Sequence, residues 1–522
     1  LNLNQEQIKL TEKYYKDFVR NGALLPADKK EKLKQIDQEL SVLGPKFSEH
    51  ILKATNAFEL VITDKKDLIG LPEGSIEAAA LDAEAKGYKN SWLFTLQAPS
   101  LIPFLQYAQN RELRKKMWMA YNSRAYKDAF DNQEIIKTIL RLKKERSVLL
   151  GFKNYAEYIL EERMAQNSNS VFQFLDALLV PSKKAAEKDL AELRDFKKSL
   201  DGNDDIKPWD FSYYAEKLKE KKYKFNEEAL RPYFKLENVV EGVFEHARRL
   251  FGITFNEIFD VEKYHPDVRT FEVLEEGSGK YVGLFYTDFF PRETKKGGAW
   301  MTSYREQGLF HGIARRPHIS IVCNFTKPTP SKPSLLSYDE VQTLFHEFGH
   351  ALHGLLSNVT YRSLAGTSVY WDFVELPSQI FENWTKEKEG LDIFARHYQT
   401  GEAIPADLVE KLKRSQRFNA GYTSLRQLNY GYLDMHWFTI DPESIQSVSD
   451  CELKFTENTR LLPAIEGTNM SCAFGHIFGG GYSAGYYSYK WAEVLDADAF
   501  EFFKEKGLFN AEVATLFNTH IL

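Results

Sequence analysis

One stretch, residues 337–355, constrains the fold more than any other part of the sequence. Ser337 and Glu340 stand three residues apart, the spacing of a capping box that begins a helix. Apolar residues then recur at intervals of three and four: Val341, Leu344, Phe345, Phe348, Leu352 and Leu355. Such a stripe predicts a helix whose apolar side packs into a protein core. The chain must therefore build enough structure around this helix to bury it.

The same helix carries an HExxH motif at His346–His350. Because the two histidines are four residues apart, their imidazoles lie on one face of the helix and can share one zinc ion. Glu347 follows the first histidine and can take a proton from a water that attacks a substrate. In the alternative interpretation both histidines are buried and satisfied by hydrogen bonds, but a charged Glu347 in an apolar helix is then costly without a partner. His353 is expected to be a packing neighbour rather than a ligand.

A catalytic zinc site takes three protein ligands and keeps one position open. A histidine at position 356 would complete a longer zinc motif, but that residue is Leu356. The best candidate is Glu375, which follows His350 at a distance that allows a break near Gly366 and the return of a second helix. Glu382 lies on the same face if that helix is regular, and is placed to accept a hydrogen bond from the outer ring nitrogen of a ligand.

A second segment, near the C-terminus, joins the three consecutive glycines Gly479–Gly481 to Tyr482, Tyr486 and Tyr489. The spacing of the tyrosines predicts one face of a helix. The segment lacks the GxGxxG spacing and the βαβ context of a dinucleotide loop. A buried aromatic stripe is the simpler interpretation, but a zinc hydrolase also needs donors for the oxyanion of its tetrahedral intermediate. Phenol hydroxyls and His476, at the end of a mobile glycine loop, would supply them.

Helical patterns dominate the chain outside one central region. Apolar residues repeat at three and four positions in three long stretches: 29–51, 113–150 and 170–200. Pro181 punctuates the last of these. Runs of β-branched, aromatic and apolar residues predict three strands, with a hairpin loop at 275–280: 270–274, 281–285 and 318–325. The predicted fold is therefore mainly α with a small, mainly central sheet.

Composition excludes several classes of protein. Of the 522 residues, 43% are hydrophobic and 14% aromatic, which is enough to bury a large core and too many for a disordered chain. The net charge of −6 gives no positive field for nucleic acid or an anionic membrane. The apolar runs are too short to span a bilayer. Three cysteines without a CxxC pair argue against a disulfide scaffold, and the expected lack of a GxSxG elbow disfavours a serine hydrolase.

Three stretches together resemble the thimet oligopeptidase family of zinc peptidases, family M3. They are HEFGHALH at 346–353, GT…DFVELPSQ at 366–379 and FGHIFGGGYSAGYYSY at 474–489. The resemblance holds at motif level from about residue 265 to the end, and more diffusely over the helical first half. TDFFPRETKKGGAWM at 287–301 looks most like the bacterial peptidyl-dipeptidase (Dcp) branch. The oligopeptidase A branch shares the glycine loop but is less similar around KKGGAWM.

The resemblance implies a mainly α, two-lobed helical ellipsoid with a deep central channel and a small β-sheet near the zinc site. Residues 1–225 would form a largely helical N-terminal part that makes much of one channel wall. Residues 226–522 would form the catalytic part, with the sheet and the HExxH site. Family members begin before Leu1 and continue past Leu522, so both ends are expected to be incomplete.

Carried over to this sequence, the resemblance implies one zinc ion per chain and three ligands: His346, His350 and Glu375. It implies Glu347 as the general base. It also matches four residues to the positions that bind substrate and stabilise the oxyanion: His476, Tyr482, Tyr486 and Tyr489.

The expected function is zinc-dependent hydrolysis of short, unstructured peptides with release of C-terminal dipeptides. An endo-acting oligopeptidase is the first alternative, and a non-catalytic peptide-binding protein is the second. A dipeptidase needs a pocket for the free carboxylate, for which Lys295, Lys296 and Arg426 are candidates. The expected partners are peptide substrates, not nucleic acid or membrane. The chain is expected to be a monomer in the cytoplasm, with the periplasm as the alternative compartment.

Overall fold

A computed structural model describes residues 2–522. Helix accounts for 57% of the residues and strand for 9%, so the predicted mainly α fold is confirmed. The helices are α1 (Gln5–Arg20), α2 (Ala27–Asn56), α3 (Glu73–Ala85), α4 (Ala98–Tyr107), α5 (Arg111–Asn122), α6 (Gln133–Leu149), α7 (Tyr155–Leu160), α8 (Ser168–Asp201), α9 (Pro208–Tyr223), α10 (Leu236–Phe251), α11 (Tyr338–Leu355), α12 (Leu376–Glu382), α13 (Lys388–Phe394), α14 (Ala406–Ser415), α15 (Ala420–Thr439), α16 (Val448–Phe455), α17 (Gly475–Phe478), α18 (Ser488–Lys506) and α19 (Ala511–His520).

The helices of the first half follow the predicted apolar spacing but not the predicted breaks. The stretches at 29–51 and 170–200 lie in α2 and α8. The stretch at 113–150 lies in two helices, because residues 123–132 separate α5 from α6. Pro181 does not interrupt α8, so its interpretation as punctuation is wrong. The helix continues although Pro181 removes one backbone hydrogen bond. It ends where Gly202 takes a left-handed φ of +73°.

Five of the strands in residues 2–522 form one sheet in the central region. The strands are β1 (Leu60–Ile62), β2 (Trp92–Phe94), β3 (Ile253–Ile258), β4 (Arg269–Glu275), β5 (Tyr281–Asp288), β6 (Trp300–Arg305), β7 (Gly308–Phe310), β8 (Ile313–Arg315) and β9 (His318–Val322). Five of them pair in the order β3-β4-β5-β9-β6; β5 and β9 are parallel, and the other neighbours are antiparallel. The three predicted strands are confirmed as β4, β5 and β9, although β9 ends at Val322 rather than 325.

The N-terminus of α11 has the predicted capping box. The Ser337 side chain accepts a hydrogen bond from the Glu340 N–H, and the Glu340 carboxylate accepts one from the Ser337 N–H at 2.7 Å. Phe345 and Phe348 are fully buried, in one core with Phe285 of the sheet. The predicted burial of this helix is therefore confirmed.

α12 packs very close to α11. A Cβ atom on Gly349 would lie 2.2 Å from the Pro377 carbonyl oxygen and 2.7 Å from Ser378 Cα, so only glycine fits there. This close approach brings the start of α12 over the HExxH motif.

A second core surrounds α15 and the glycine–tyrosine segment, and includes Leu428, Trp437, Ile477 and Tyr487. An open cleft of about 1180 Å³ is lined by side chains from α11, α12, α14, α15 and α18. The division of the chain near residue 225 stays a prediction. Within residues 2–522, no helix has the length and apolarity that crossing a membrane requires.

Candidate metal centre

Two imidazoles and one carboxylate meet where α11 faces the start of α12. The Nε2 atoms of His346 and His350 lie 3.2 and 3.1 Å from the same Glu375 oxygen, Oε2. The two rings are nearly perpendicular, with an interplanar angle of 86° and centroids 5.1 Å apart. One candidate ligand atom from each of the three residues lies within 4.8 Å of the other two. The spacing of four residues on one helix and the return of the chain at residue 375 thus produce a three-donor cluster.

Hydrogen bonds from the neighbouring Ser378 and from Tyr482 in a distant segment hold the Glu375 carboxylate, which is 1% exposed. The Ser378 hydroxyl donates to Oε2 at 2.9 Å, and the Tyr482 hydroxyl donates to Oε1. Burial raises the pKa of Glu375, but the facing His350 and His346 outweigh it and leave the pKa well below its usual range. The carboxylate is therefore ionised, as a metal ligand must be.

Glu382 orients His346 from the side away from Glu375. Its Oε1 lies 2.8 Å from His346 Nδ1, the contact that the sequence suggested for a ligand's outer nitrogen. Such a partner fixes the ring and leaves Nε2 to face the cluster. Among residues 2–522, Nδ1 of His350 has no hydrogen-bond partner.

The donor set suits a zinc ion. Zinc in hydrolases takes imidazole nitrogens and a carboxylate oxygen, and two histidines with one glutamate leave a fourth position open. Without a cation, two imidazoles would share a single carboxylate oxygen in a buried site. A metal at the centre would satisfy the three donors together, so the residues present fit the group.

Glu347 lies beside the cluster but does not join it. It is 4% exposed, and its Oε2 has no hydrogen-bond partner in the described residues. Burial raises the pKa of this carboxyl, although the two neighbouring histidines oppose the effect. The site thus contains one carboxylate that stays ionised and another that can hold a proton.

His353 is outside the three-donor cluster. It is 2% exposed, and burial lowers its pKa to about 3, so the ring is neutral. Its Nδ1 has no partner within the described part of the chain. This position agrees with the expectation of a packing neighbour.

The tyrosine segment reaches the centre, but not as the helix face that its spacing predicts. α18 begins at Ser488, and Tyr482 and Tyr486 lie in the turns before it. Ala484 has a left-handed φ of +54°, which is incompatible with a helix from 482 onward. The prediction of one helical face is therefore wrong.

The four aromatic side chains nevertheless form one cluster. The rings of Tyr482 and Tyr489 stack at 5.3 Å, and Tyr486 lies 5.1 Å from Tyr489. His476, on α17, lies 5.7 Å from Tyr482 and 5.5 Å from Tyr486. Burial raises the pKa of all three phenols and lowers the pKa of His476, so each keeps a neutral side chain. His476, Tyr486 and Tyr489 line the cleft together with His346.

The letters GxSxG do occur at residues 481–485, so the expectation that the chain lacks this spacing is wrong. Ser483 is 5% exposed, and its hydroxyl donates to the Ile477 carbonyl and accepts from Lys143. A nucleophilic serine sits on a turn between a strand and a helix and bonds to a basic histidine. Here a short helix and three glycines precede the serine, and a lysine is its side-chain neighbour.

Sequence reasoning assigned no role to Asp372, three residues before Glu375. Its carboxylate is fully buried and accepts hydrogen bonds from the backbone N–H groups of Met164 and Ala165, at 2.9 and 3.0 Å, and from the Tyr487 hydroxyl at 2.7 Å. These bonds tie the segment that carries Glu375 to a distant part of the chain. The sequence carries no local signal for contacts of this range.

The candidates for a carboxylate pocket differ in their surroundings. The Lys295 ammonium is buried and bonds to Asp288 at 2.9 Å and to the Phe290 carbonyl at 2.8 Å, so it is already engaged. Lys296 lies 4.6 Å from the Trp300 ring centre. The Arg426 guanidinium donates to the Tyr430 hydroxyl at 3.2 Å.

Comparison with known proteins identifies the family of this chain. The profile of peptidase family M3 matches residues 104–522. The chain is 40% identical to oligopeptidase A of Escherichia coli over 528 residues, and 39% identical to the dipeptidyl carboxypeptidase of the same organism over 527 residues; each match covers 100% of this chain and 77% of the relative. The solved structure titled "PZ peptidase A with inhibitor 2" shares the fold, with a TM-score of 0.56 at 15% identity over 98% of this chain and 74% of that chain.

These relatives confirm the resemblance that the motifs indicated, and peptide hydrolysis as the activity. The chain belongs to peptidase family M3 and is a metallopeptidase.

Proposed function

We propose that this chain hydrolyses short, unstructured peptides with a zinc ion held by His346, His350 and Glu375. The observation that carries the proposal is the convergence of both Nε2 atoms on one Glu375 oxygen, at 3.2 and 3.1 Å. When bound, zinc supplies a Lewis acid that polarises the scissile carbonyl and lowers the pKa of water. The three residues hold the ion and leave its remaining position to substrate and water.

Glu347 is proposed as the general base. Within the described residues its Oε2 accepts no hydrogen bond, and its raised pKa suits a group that must accept a proton and give it up again. The carboxylate takes a proton from the attacking water and passes it to the leaving amine. Water is consumed, the peptide bond breaks, and Glu347 returns to its starting state.

The tyrosines divide into two roles. Tyr482 donates to Glu375 and therefore holds a ligand in place. Tyr486 and Tyr489 line the cleft and are proposed to donate to the oxyanion that forms on the scissile carbonyl. His476 packs against these rings and is proposed to hydrogen-bond to the substrate.

Release of C-terminal dipeptides is the proposed register. Arg414 and Arg417 line the same cleft as Tyr486, and within residues 2–522 neither guanidinium forms an ion pair. An unpaired guanidinium attracts a free carboxylate and can bind it with two hydrogen bonds. The endo-acting register is the second candidate, since one of the relatives above is named oligopeptidase A.

The test is mass analysis of the products from one decapeptide with a free C-terminus and from its C-terminal amide. We expect stepwise loss of dipeptides from the free peptide, at least tenfold slower cleavage of the amide, and loss of both reactions with a chelator until zinc is restored. Equal cleavage of the two peptides would establish the endo-acting register. Full activity in the chelator would contradict the zinc proposal.

A matched pair of cleft variants tests the carboxylate contact. Arg417→Met should raise KM for the free peptide and leave the amide unchanged. Lys504→Met is the control, because Lys504 lines the same cleft but is already paired with Glu501. The expectation of a monomer in the cytoplasm stays a prediction, and a solution mass of the purified protein tests the oligomeric part of it.

A further inference from the structure

The turn that carries the tyrosines folds around a buried carboxylate from another helix. Asp434, on α15, has no exposed surface. Its Oδ1 accepts a hydrogen bond from the Ala484 N–H at 2.8 Å, and its Oδ2 accepts from the N–H groups of Gly485 and Tyr486 at 2.8 and 2.9 Å. Three successive backbone donors thus converge on one side chain that lies about 50 residues earlier in the chain.

The backbone needs this carboxylate to keep its conformation. Ala484 has a φ of +54°, a left-handed region that is sterically unfavourable for residues with a Cβ atom. The left-handed residue turns its own N–H and the next two toward the same point, a concave arrangement that binds anions. Without an acceptor these three buried donors would each lose a hydrogen bond.

A second contact fixes the same turn from the other side. Lys143, on α6, donates to the Ser483 hydroxyl, and that hydroxyl donates to the Ile477 carbonyl. Ile477 follows His476 in α17, and the Tyr482 N–H donates to the His476 carbonyl at 3.1 Å. The two ends of the glycine run are thereby held together, and the glycines themselves carry no side chain that could place the tyrosines.

We propose that Asp434 is a positioning residue for catalysis, which sets the place of Tyr482 and Tyr486 over the metal centre through the backbone of residues 484–486. The inference rests on the proposed role of the tyrosines. Asp434 does not touch the cleft, so its effect must pass through the turn. Within residues 2–522 it forms no ion pair; the three backbone hydrogen bonds, together with the charge of Lys143, offset part of the cost of burying its carboxyl group.

Asp434→Asn separates this role from a purely structural one. An asparagine offers one acceptor oxygen where three N–H groups converge, so at least one donor loses its partner and the turn shifts. We expect kcat to fall about 100-fold, with KM changed less than threefold, because Tyr486 is proposed to act in the transition state. Asp434→Glu keeps a carboxylate but moves it by one methylene, and should lower kcat less than the asparagine does while the protein stays folded.

Asp210→Asn is the matched control. Asp210 is equally buried and also accepts a backbone hydrogen bond, from Lys207, but it lies on α9 and pairs with Arg111 and Arg114. This variant should lose thermal stability and keep the wild-type kcat. If Asp210→Asn and Asp434→Asn lower kcat in proportion to their loss of stability, Asp434 is merely structural and the proposal is overturned.

Two further readouts complete the experiment. In a Tyr486→Phe background, Asp434→Asn should cost clearly less than 100-fold in kcat, because one of the two tyrosines that it positions has already lost its hydroxyl; an undiminished 100-fold loss contradicts the proposal. Hydrogen exchange of the 479–489 peptide should accelerate in Asp434→Asn and stay unchanged in Asp210→Asn. If exchange responds while Tyr486→Phe keeps full kcat, the oxyanion role fails but the anchoring of the turn stands. If exchange does not respond, the anchoring itself fails.

Discussion

At the scale of single residues, two buried glutamates at the same site are suited to different tasks because their surroundings differ. Glu375 faces two imidazoles and accepts from Ser378 and a tyrosine, so it stays ionised. Glu347 has an oxygen without a hydrogen-bond partner among residues 2–522, and burial raises its pKa. Because their surroundings give the two carboxyl groups different pKa values, one is suited to be an ionised ligand and the other to be a base.

A residue-scale prediction concerns the oxyanion donor. Tyr486→Phe removes one hydroxyl and should lower kcat about 100- to 1,000-fold, the loss seen when one oxyanion donor is removed, which corresponds to roughly 2.7–4 kcal/mol. KM should change little. Steady-state kinetics on a free decapeptide measures both constants.

The control for this variant is Tyr430→Phe. The Tyr430 ring lies 5.3 Å from Tyr486, but its hydroxyl accepts a hydrogen bond from Arg426, and Tyr430 does not line the cleft. This substitution should leave kcat within about threefold. Equal losses in the two variants would show that the aromatic packing matters and the Tyr486 hydroxyl does not.

At the scale of elements, the contact between α11 and α12 sets the distance between the histidines and Glu375. Gly349→Ala would place a methyl group 2.2 Å from the Pro377 carbonyl oxygen, so α12 must move. We expect zinc affinity to fall at least tenfold and stability to fall by about 1–3 kcal/mol, the usual cost of overpacking. Competition with a chelator and denaturant unfolding measure the two effects.

Gly74→Ala is the control for this helix substitution. Gly74 also lies in a helix, α3, and a Cβ atom there would meet nothing within 4 Å. Alanine should stabilise the protein by up to about 1 kcal/mol and leave zinc affinity unchanged. If Gly349→Ala behaved in the same way, the close approach of α11 and α12 would not control the metal site.

A second element-scale prediction concerns pH and the packing of α10 on α11. His246 is fully buried between Phe345 and Phe509, its Nδ1 lies 2.6 Å from the Gly242 carbonyl oxygen, and burial lowers its pKa to about 4. Above pH 6.5 the ring is neutral in the folded and the unfolded chain alike. Between pH 6.5 and 4 the unfolded chain binds a proton that the folded chain does not. The free energy of unfolding therefore decreases as the pH is lowered from 6.5 to 4.

The expected size of this loss is about 3 kcal/mol at pH 4, from a pKa difference near 2.5 units. His246→Asn keeps a donor for Gly242 but cannot titrate, so its free energy of unfolding should fall less between pH 6.5 and 4. Urea unfolding of both proteins across this range measures the difference. Parallel curves would mean that His246 does not carry a buried neutral ring.

At the scale of the whole molecule, the metal centre joins two cores that the chain builds from distant segments. Its histidines lie on α11 and Glu375 lies at the start of α12, two helices whose apolar residues pack in the core around the sheet, while Tyr482 packs against the core around α15. A ligand that binds only the folded state stabilises it in proportion to the logarithm of its concentration over Kd. We expect zinc at 1,000 times its Kd to stabilise the protein by about 4 kcal/mol relative to the chelated form.

Thermal unfolding of the chelated and zinc-loaded protein checks this prediction. His350→Ala should abolish the difference, because it removes one ligand. His353→Ala should keep it, because His353 lies outside the donor cluster. A zinc response that survives in His350→Ala would place the metal elsewhere.

The sequence predicts the parts of this molecule that short-range spacing encodes. The capping box, the apolar stripe, the pairing of His346 with His350, and Glu375 as their neighbour all follow from intervals along one or two helices. The turn before α18 could not be predicted, because a left-handed Ala484 held by Asp434 breaks the helical spacing of the tyrosines. The contact of Asp372 with residues 164 and 165 likewise depends on tertiary packing, which leaves no local pattern.

The most direct test of the central claim is the rate at which zinc-loaded Glu347→Gln hydrolyses an unmodified decapeptide. Glutamine keeps the shape of the side chain and removes its basicity, while the three ligands stay in place. We predict one zinc ion per chain and a kcat reduced by at least about 100-fold, the lower end of what general base catalysis contributes. A variant that binds zinc and cleaves the peptide within threefold of the wild-type rate would contradict the account.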